Sequence, residues 1–277
     1  MTKMMFRSGV AALLLAGTFF AVVGKLQFAP RQTVSAEIRI ALPLFVQVIM
    51  SMGDRNLAAN LAATRAMVTS PERMHPEDFP VLAKVQKDVS WLNPAHEDNY
   101  YTAFAILPIY GELDAAQTIL ARASRARFFD FQPAFFYAFN LFYLKHDPEG
   151  ASAWLRESAE KLVDDNQRLD MQNFAARWID KSEDLDLAIS VVGLMAQQAK
   201  RKDFRAYLEM RVRRLEMLKQ LRTAAATYSK QTGRAPERLA DLVEAGFLSV
   251  LPQDPFGFGF EFDSRGVIML RTSPPKS

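Results

Sequence analysis

Residues 97–159 read EDNYYTAFAILPIYGELDAAQTILARASRARFFDFQPAFFYAFNLFYLKHDPEGASAWLRESA and contain the same unit twice. Each unit is an aromatic-rich apolar run, a short polar turn (111–114 or 145–150) and a second run with small and apolar residues at fixed places. These are Ala116, Leu120 and Ala123 in the first unit and Ala151, Leu155 and Ser158 in the second. Spacings of four and three place them on one helix face, and small residues let a second helix approach closely. The pattern therefore predicts helix–turn–helix units.

The unit recurs on both sides of this stretch, so the predicted units occupy roughly 39–72, 97–130, 132–165 and 169–202. A small residue falls early in each second helix, at Ala58, Ala116, Ala151 and Ala188. The last three are 35 and 37 residues apart. The pattern resembles the tetratricopeptide family, whose period is about 34 residues. Because the family's aromatic residue early in the first helix is present as Tyr100 but weak in the other units, we predict degenerate repeats, with a generic helical bundle as the alternative.

Composition limits the classes of function. The chain has 277 residues, of which 49% are hydrophobic and 23% are charged, as in ordinary globular proteins. A net charge of only +3 argues against a strong nucleic-acid binder. The absence of cysteine excludes disulfides, thiolate metal sites and thiol nucleophiles.

The N-terminus carries an uncharged run, Ser8 to Gly24, preceded by Lys3 and Arg7. As a helix this run would be roughly 25 Å long, close to the thickness of a bilayer core. Basic residues before it favour export of the remaining chain. We expect residues 1–30 to be an anchor and linker in the inner (cytoplasmic) membrane, with a single span at 8–24 and a periplasmic C-terminal domain. The small residues at 34–36 leave a cleaved signal peptide as one alternative, and a buried soluble helix is another.

A proline-bearing insert at 71–94 follows the first unit, and the sequence predicts a short helix in it near 81–89. After the last repeat, the sequence predicts one long helix over 199–230. Beside its apolar stripe, this helix carries many basic residues: Lys200, Arg201, Lys202, Arg205, Arg211, Arg213, Arg214, Lys219 and Arg222. We interpret them as a solvated helix face. Contact with anionic lipid headgroups or with an acidic partner is the alternative.

The C-terminal segment changes character. We expect the long helix to end at Thr232-Gly233, and a short helix to open at Pro236 and end at Gly246. A turn-rich loop follows at 251–257, and then a β-hairpin with strands 258–262 and 267–270. The sequence thus predicts a small α+β cap.

This segment resembles the C-terminal globular part of type II secretion pseudopilins. The resemblance rests on Ala225, Tyr228, Thr232, Gly233, Pro236, Leu239, Leu242, Gly246, Phe247, Leu248, Leu251, Pro252, Asp254, Pro255, Phe256 and Gly257. In that family the following region can hold calcium, but here only Asp254, Glu261 and Asp263 supply acids, so we predict no metal. The run Ser8 to Gly24 also lacks the glutamate of a pilin precursor. We therefore expect a pseudopilin-like cap on a helical-repeat protein, and not a polymerising subunit.

No catalytic signature is present: the sequence has no phosphate-cradling glycine loop, no Gly-x-Ser-x-Gly and no His-Glu-x-x-His. The acid–histidine cluster His96-Glu97-Asp98 is best explained by helix capping, through Asp98 or Asn99. We predict a non-enzymatic protein without cofactor or metal. An enzyme or small-molecule binder is the weakest alternative.

The tetratricopeptide resemblance implies that the first helices of the repeats line a concave, peptide-binding groove. Carried onto this sequence, the groove-facing positions are Asp98, Tyr101, Phe136, Asn140, Tyr143, Asn173 and Arg177. Tyr and Arg are frequent interface anchors, and Asn can bind a peptide backbone. The alternative is that Phe136 and Tyr143 are simply core residues.

These inferences combine into one prediction. The chain is mainly α, with a transmembrane helix, a repeat domain over 36–202, and the long helix with its cap over 203–277. We expect a membrane-anchored protein–protein interaction scaffold or assembly factor for an envelope machine, such as a secretion or pilus system, with protein partners and no nucleic acid. An obligate structural subunit of a membrane complex is the alternative.

Overall fold

The computed structural model describes residues 14–25 and 40–273, and the chain divides into a unit over 1–37 and a unit over 38–277. In the first unit, residues 14–25 form helix α1. Within the described ranges, no helix combines the length and apolar character that a membrane span requires. Residues 8–13 of the predicted span, the linker from residue 26 onward and the 34–36 motif lie outside the described residues.

The second unit is mainly helical, with one small antiparallel sheet near the C-terminus. Its α-helices are α2 (Leu44–Met50), α3 (Arg55–Met67), α4 (Phe79–Leu92), α5 (Glu97–Ile106), α6 (Leu113–Ala126), α7 (Gln132–Tyr143), α8 (Pro148–Ala159), α9 (Asp165–Ile179), α10 (Leu185–Gln198), α11 (Lys202–Thr232) and α12 (Leu239–Glu244). Short 3₁₀ turns occupy Pro71–Arg73, Pro76–Asp78 and Leu107–Tyr110, and the strands are β1 (Phe260–Phe262) and β2 (Ile268–Leu270).

Helices α3 to α11 each pack against the next helix in the chain. Except for the longer segment 68–78 between α3 and α4, short loops join the helices from α3 to α11, so neighbours run antiparallel. Contacts of α4 with α6 and of α5 with α7 show that alternate helices lie in the same layer. The predicted units at 97–130, 132–165 and 169–202 correspond to the pairs α5–α6, α7–α8 and α9–α10.

The predicted small positions are buried between helices. Ala116, Ala151 and Ala188 are each 0% exposed, and Ala58 is 2% exposed. Because a residue with only a β-carbon fills each position, the paired helices approach closely, as the spacing predicted.

Aspartates set several helix starts. Asp54, Asp147, Asp164 and Asp184 are N-cap residues whose side chains accept backbone N–H groups of the first turn. The turn predicted at 145–150 is therefore shorter, because α8 already begins at Pro148. At α5 the predicted cap was wrong. This helix begins at Glu97 after His96, so Asp98 and Asn99 lie inside its first turn.

The second half of this unit has one continuous core, which extends from α7 to β2. Leu208, Leu215, Leu218 and Leu221 of α11 are each at most 1% exposed, and this face covers α10 on one side and the cap on the other. Gly233, with a φ of 73°, ends α11 as predicted.

The cap differs from the prediction at three starts, of which the smallest shift is that of β2, which begins at Ile268 and not at 267. Helix α12 begins at Leu239, because the Asp241 carboxylate accepts the backbone N–H groups of Glu237 and Arg238 and fixes the helix start there, not at Pro236. Strand β1 begins at Phe260, after Gly259 with a φ of 83°. The hairpin itself is as predicted, with Phe260 opposite Leu270 and Phe262 opposite Ile268.

Candidate partner-binding surface

A continuous band of aromatic rings crosses helices α5, α7 and α9. We call these residues the aromatic band: Tyr100, Tyr101, Phe104, Phe135, Phe136, Phe139, Phe142, Tyr143, Phe174 and Trp178. The band is built from i, i+3 and i+4 spacings on each helix, which bring successive rings to one side. Since these are alternate helices, the band lies on a single layer of the unit.

Ring contacts join the three helices. Phe104 of α5 stacks on Phe136 of α7, with centroids 4.1 Å apart and planes 5° from parallel. Phe139 meets Tyr143 at 4.5 Å, and Tyr143 lies edge-on to Trp178 of α9 at 6.2 Å. Such pairs contribute about 0.5–1.5 kcal/mol beyond the apolar area they bury.

The band is partly core and partly surface. Tyr100 is 0% exposed and Trp178 is 8% exposed, whereas Tyr143 is 51% exposed. Phe104 and Phe136 are half-buried. Tyr143 is therefore a surface residue, and Phe136 packs on its neighbours while one part of its ring stays accessible.

Polar contacts hold the first turn of α5 against the start of α7. The Tyr100 hydroxyl donates to Asp130 at 2.7 Å, and the Tyr101 hydroxyl donates to Gln132. Burial and the hydrogen bond to Asp130 raise the pKa of Tyr100 far above its usual value. Arg127 donates to the same Asp130 at 2.9 Å, so the Asp130 carboxylate joins a tyrosine and a cation.

Asn140 faces away from the aromatic band. It is 1% exposed, and its side-chain amide donates to Gln117 of α6 at 3.0 Å. The amide of Gln117 in turn donates to the Tyr137 carbonyl at 3.1 Å. Asn140 therefore joins the two helix layers, and its amide is not presented to a groove.

Asn173 and Arg177 lie on α9 beside α11. Asn173 accepts a hydrogen bond from the Tyr207 hydroxyl at 3.0 Å, and Arg211 donates to that hydroxyl at 2.8 Å. Arg211 also forms a buried ion pair with Asp180. Burial raises the pKa of Tyr207, an effect that Arg177 opposes. The polar network thus extends the aromatic band from α9 to α11.

Two residues of the predicted basic face are buried, which corrects that part of the interpretation. Arg211 is 9% exposed and Arg214 is 6% exposed. Burial, followed by the charges of Arg214 and Arg177, lowers the pKa of Arg211 to about 10, so Arg211 is still a cation at neutral pH. Arg214 pairs with Asp254 of the cap at 2.9 Å. These cations hold α9, α11 and the cap together.

The acids considered for calcium have partners within the chain. Asp254 accepts backbone N–H groups of Phe256 and Gly259 in addition to its pair with Arg214. Glu261 pairs with Arg271 at 2.8 Å, and Asp263 caps the hairpin turn. In residues 14–25 and 40–273, no group of three or more metal-ligating side chains comes together.

The structure brings Tyr101, Phe136 and Tyr143 into one band, and it places Asn173 and Arg177 where that band meets α11. Asp98 is exposed in the first turn of α5. Sequence reasoning missed Phe104, Phe139 and Tyr207. The first two follow Tyr101 and Phe136 by three residues, and this spacing could have revealed them. Tyr207 lies 34 residues from its partner Asn173, and no local signal connects the two.

Searches against family models, curated proteins and solved structures found no match to this chain.

Proposed function

We propose that the chain is a membrane-anchored, non-enzymatic scaffold or assembly factor whose aromatic band binds a segment of a protein partner. The setting we propose is the inner membrane, with the C-terminal domain on the exported side and residues 8–24 as the anchor. An envelope machine of the secretion or pilus type is the proposed assembly.

The observation that carries this proposal is the exposure of the aromatic band. A connected set of rings on three alternate helices is open to solvent at Tyr143 and half-open at Tyr101, Phe104 and Phe136. Exposed tyrosine and half-exposed phenylalanine form favourable anchor points at protein interfaces, because they offer large rigid surfaces and, in tyrosine, a polar end.

The antiparallel helix pairs support the tetratricopeptide-like interpretation as part of the same proposal. In such arrays the first helices of successive pairs form one continuous surface. Here α5, α7 and α9 are those helices, and the aromatic band follows them. The exposed Arg177 and Asp98 add one charge of each sign at its borders.

The experiment is affinity purification of the full-length chain from its native membrane, comparing the wild type with Phe136→Ala/Tyr143→Ala. We expect the double variant to keep its helical circular dichroism and to lose the proteins that the wild type retains. Leu194→Ala is the matched control, because Leu194 is 51% exposed on α10, outside the band. Equal retention by the wild type and the double variant would contradict binding at the band.

An obligate structural subunit is the second proposal, and exposed apolar residues outside the band favour it. Phe45, Ile49 and Met50 of α2 are between 66% and 70% exposed. Large exposed apolar patches are typical of surfaces that stay covered in a complex. In this case the purified chain would recover a fixed set of subunits in constant ratio, and Phe136→Ala/Tyr143→Ala would leave most of them bound.

A further inference from the structure

The two ends of the helical array differ in their exposed apolar side chains and in their charge. Antiparallel packing gathers the 51–55, 87–98 and 122–130 segments at one end, which we call the aromatic end. The loops at 70–78, 107–114, 144–149 and 180–186 lie at the other, which we call the acidic end. Contacts between the segments connect the aromatic end directly: Arg55 donates to the Trp91 carbonyl at 2.9 Å, and Arg127 donates to the Ala95 carbonyl at 3.1 Å.

Four large apolar side chains project from the aromatic end. Met52 is 98% exposed, Trp91 is 59% exposed, and Phe128 and Phe129 are 55% and 57% exposed. Met52 also has a φ of 52°, in the left-handed region where glycine and asparagine are favoured. A fully exposed methionine in that conformation contributes nothing to the core, so the fold does not explain its presence.

Arginine heads lie beside these apolar side chains. The Arg122 guanidinium lies over the Trp91 ring at 5.6 Å, and that of Arg127 lies over the Phe129 ring at 4.9 Å. Arg55 follows Met52 by three residues at the same turn. The apolar side chains extend further from the protein than the cations beside them. This order matches a lipid interface, where the apolar side chains would reach the acyl chains and the cations would lie at the level of the phosphates.

Charge separates the two ends. Together with the loops 160–164 and 199–201, which the antiparallel packing places at the same end, the segments of the aromatic end contain eight basic and seven acidic residues, whereas the four loops of the acidic end contain eleven acidic and three basic residues. An anionic lipid surface therefore repels the acidic end and accepts the aromatic end. This difference favours a lipid surface over a second copy of the chain, which would need no such separation.

We infer that the aromatic end rests on the lipid–water interface, with Met52, Trp91, Phe128 and Phe129 inserted among the headgroups. This inference rests on the proposed membrane attachment and adds a second, peripheral contact to it. That contact sets the orientation of the second unit. The acidic end points away from the membrane, and the aromatic band lies at a fixed distance from the membrane surface.

The test uses the absence of native cysteine. The full-length chain is reconstituted into phosphatidylethanolamine–phosphatidylglycerol vesicles as Met52→Cys, Phe128→Cys or Ile109→Cys, each carrying a nitroxide label. Ile109 is the matched control, since it is 76% exposed at the acidic end. Power-saturation spectra then compare collisions with oxygen, which concentrates in lipid, and with a water-soluble nickel chelate.

We expect oxygen collisions to exceed nickel-chelate collisions several-fold at positions 52 and 128, with the reverse at 109. Nickel accessibility at all three positions, in a chain that co-floats with the vesicles, would overturn the peripheral contact and leave the anchor intact. A chain that fails to co-float would contradict both the anchor and the peripheral contact.

Discussion

Arg214 connects α11 to the cap through a single buried guanidinium. It pairs with Asp254 at 2.9 Å and donates to the Arg271 carbonyl at 2.8 Å. The side chains of Arg214 and Asp254 are 8% and 1% exposed, so neither charge has water as a substitute partner. Removing one member of such a pair leaves the other charge buried and uncompensated.

We therefore predict that Asp254→Ala lowers the free energy of unfolding by about 3–5 kcal/mol. Asp186→Ala is the control, because the pair of Asp186 with Lys219 is exposed and should contribute less than about 1 kcal/mol. Urea unfolding followed by circular dichroism measures both. Similar losses in the two variants would show that Asp254 is not a buried tether.

Tyr100 gives a prediction about pH. Burial and the hydrogen bond to Asp130 raise the pKa of Tyr100 in the folded chain, while in the unfolded chain it ionises near 10. The contribution of Tyr100 to the free energy of unfolding is therefore complete below pH about 10. As the pH rises further, this free energy falls by about 1.4 kcal/mol per pH unit. Tyr100→Phe removes this loss, so the stability of the wild type should fall more steeply between pH 9 and 11. Parallel curves from urea unfolding across that range would contradict the assignment.

At the scale of the elements, sequence pattern located the helix pairs well because each buried face repeats locally. Ala116, Leu120 and Ala123, for example, are all at most 1% exposed. The sequence pattern failed where the ion-pair partner of a side chain is distant in the sequence. Arg211 and Arg214 looked solvated because Asp180 and Asp254, their partners, lie 31 and 40 residues away.

The prediction that Asn140 faces the groove failed for a different reason. Asn140 follows Phe139, the middle ring of the band on α7, by one residue, which is a rotation of about 100° around the helix. That rotation carries Asn140 from the aromatic band to the buried side, where Gln117 receives its amide. The rest of the band could be predicted from ring spacing, whereas the direction of one polar side chain depended on how α6 packs.

The small positions give the prediction at this scale. Ala151 is 0% exposed in α8, so Ala151→Leu should overpack the helix pair and destabilise the chain by about 1–3 kcal/mol. Ala153→Leu is the control, since Ala153 is exposed on the same helix and should change stability by no more than about 0.5 kcal/mol. Thermal and urea unfolding compare the two variants. A tolerated leucine at 151 would mean that α8 does not pack closely at that point.

At the scale of the second unit, three surfaces follow from one topology. Alternate helices place the aromatic band on one layer, and antiparallel loops separate the aromatic end from the acidic end. The cap shares the core of α10 and α11, with Leu242 and Leu270 at most 5% exposed. The cap therefore covers the last helices of the array.

Binding of a partner at the aromatic band is tested most directly by site-specific photocrosslinking in native membranes. A photoreactive phenylalanine analogue replaces Tyr143 in the full-length chain, and Leu194 of α10 carries it in the control. We predict one discrete adduct from position 143, absent from position 194 and lost when Tyr101→Ala and Phe139→Ala are added. Equal adducts from both positions, or an adduct at 143 that persists after those two substitutions, would contradict binding of a partner at the aromatic band.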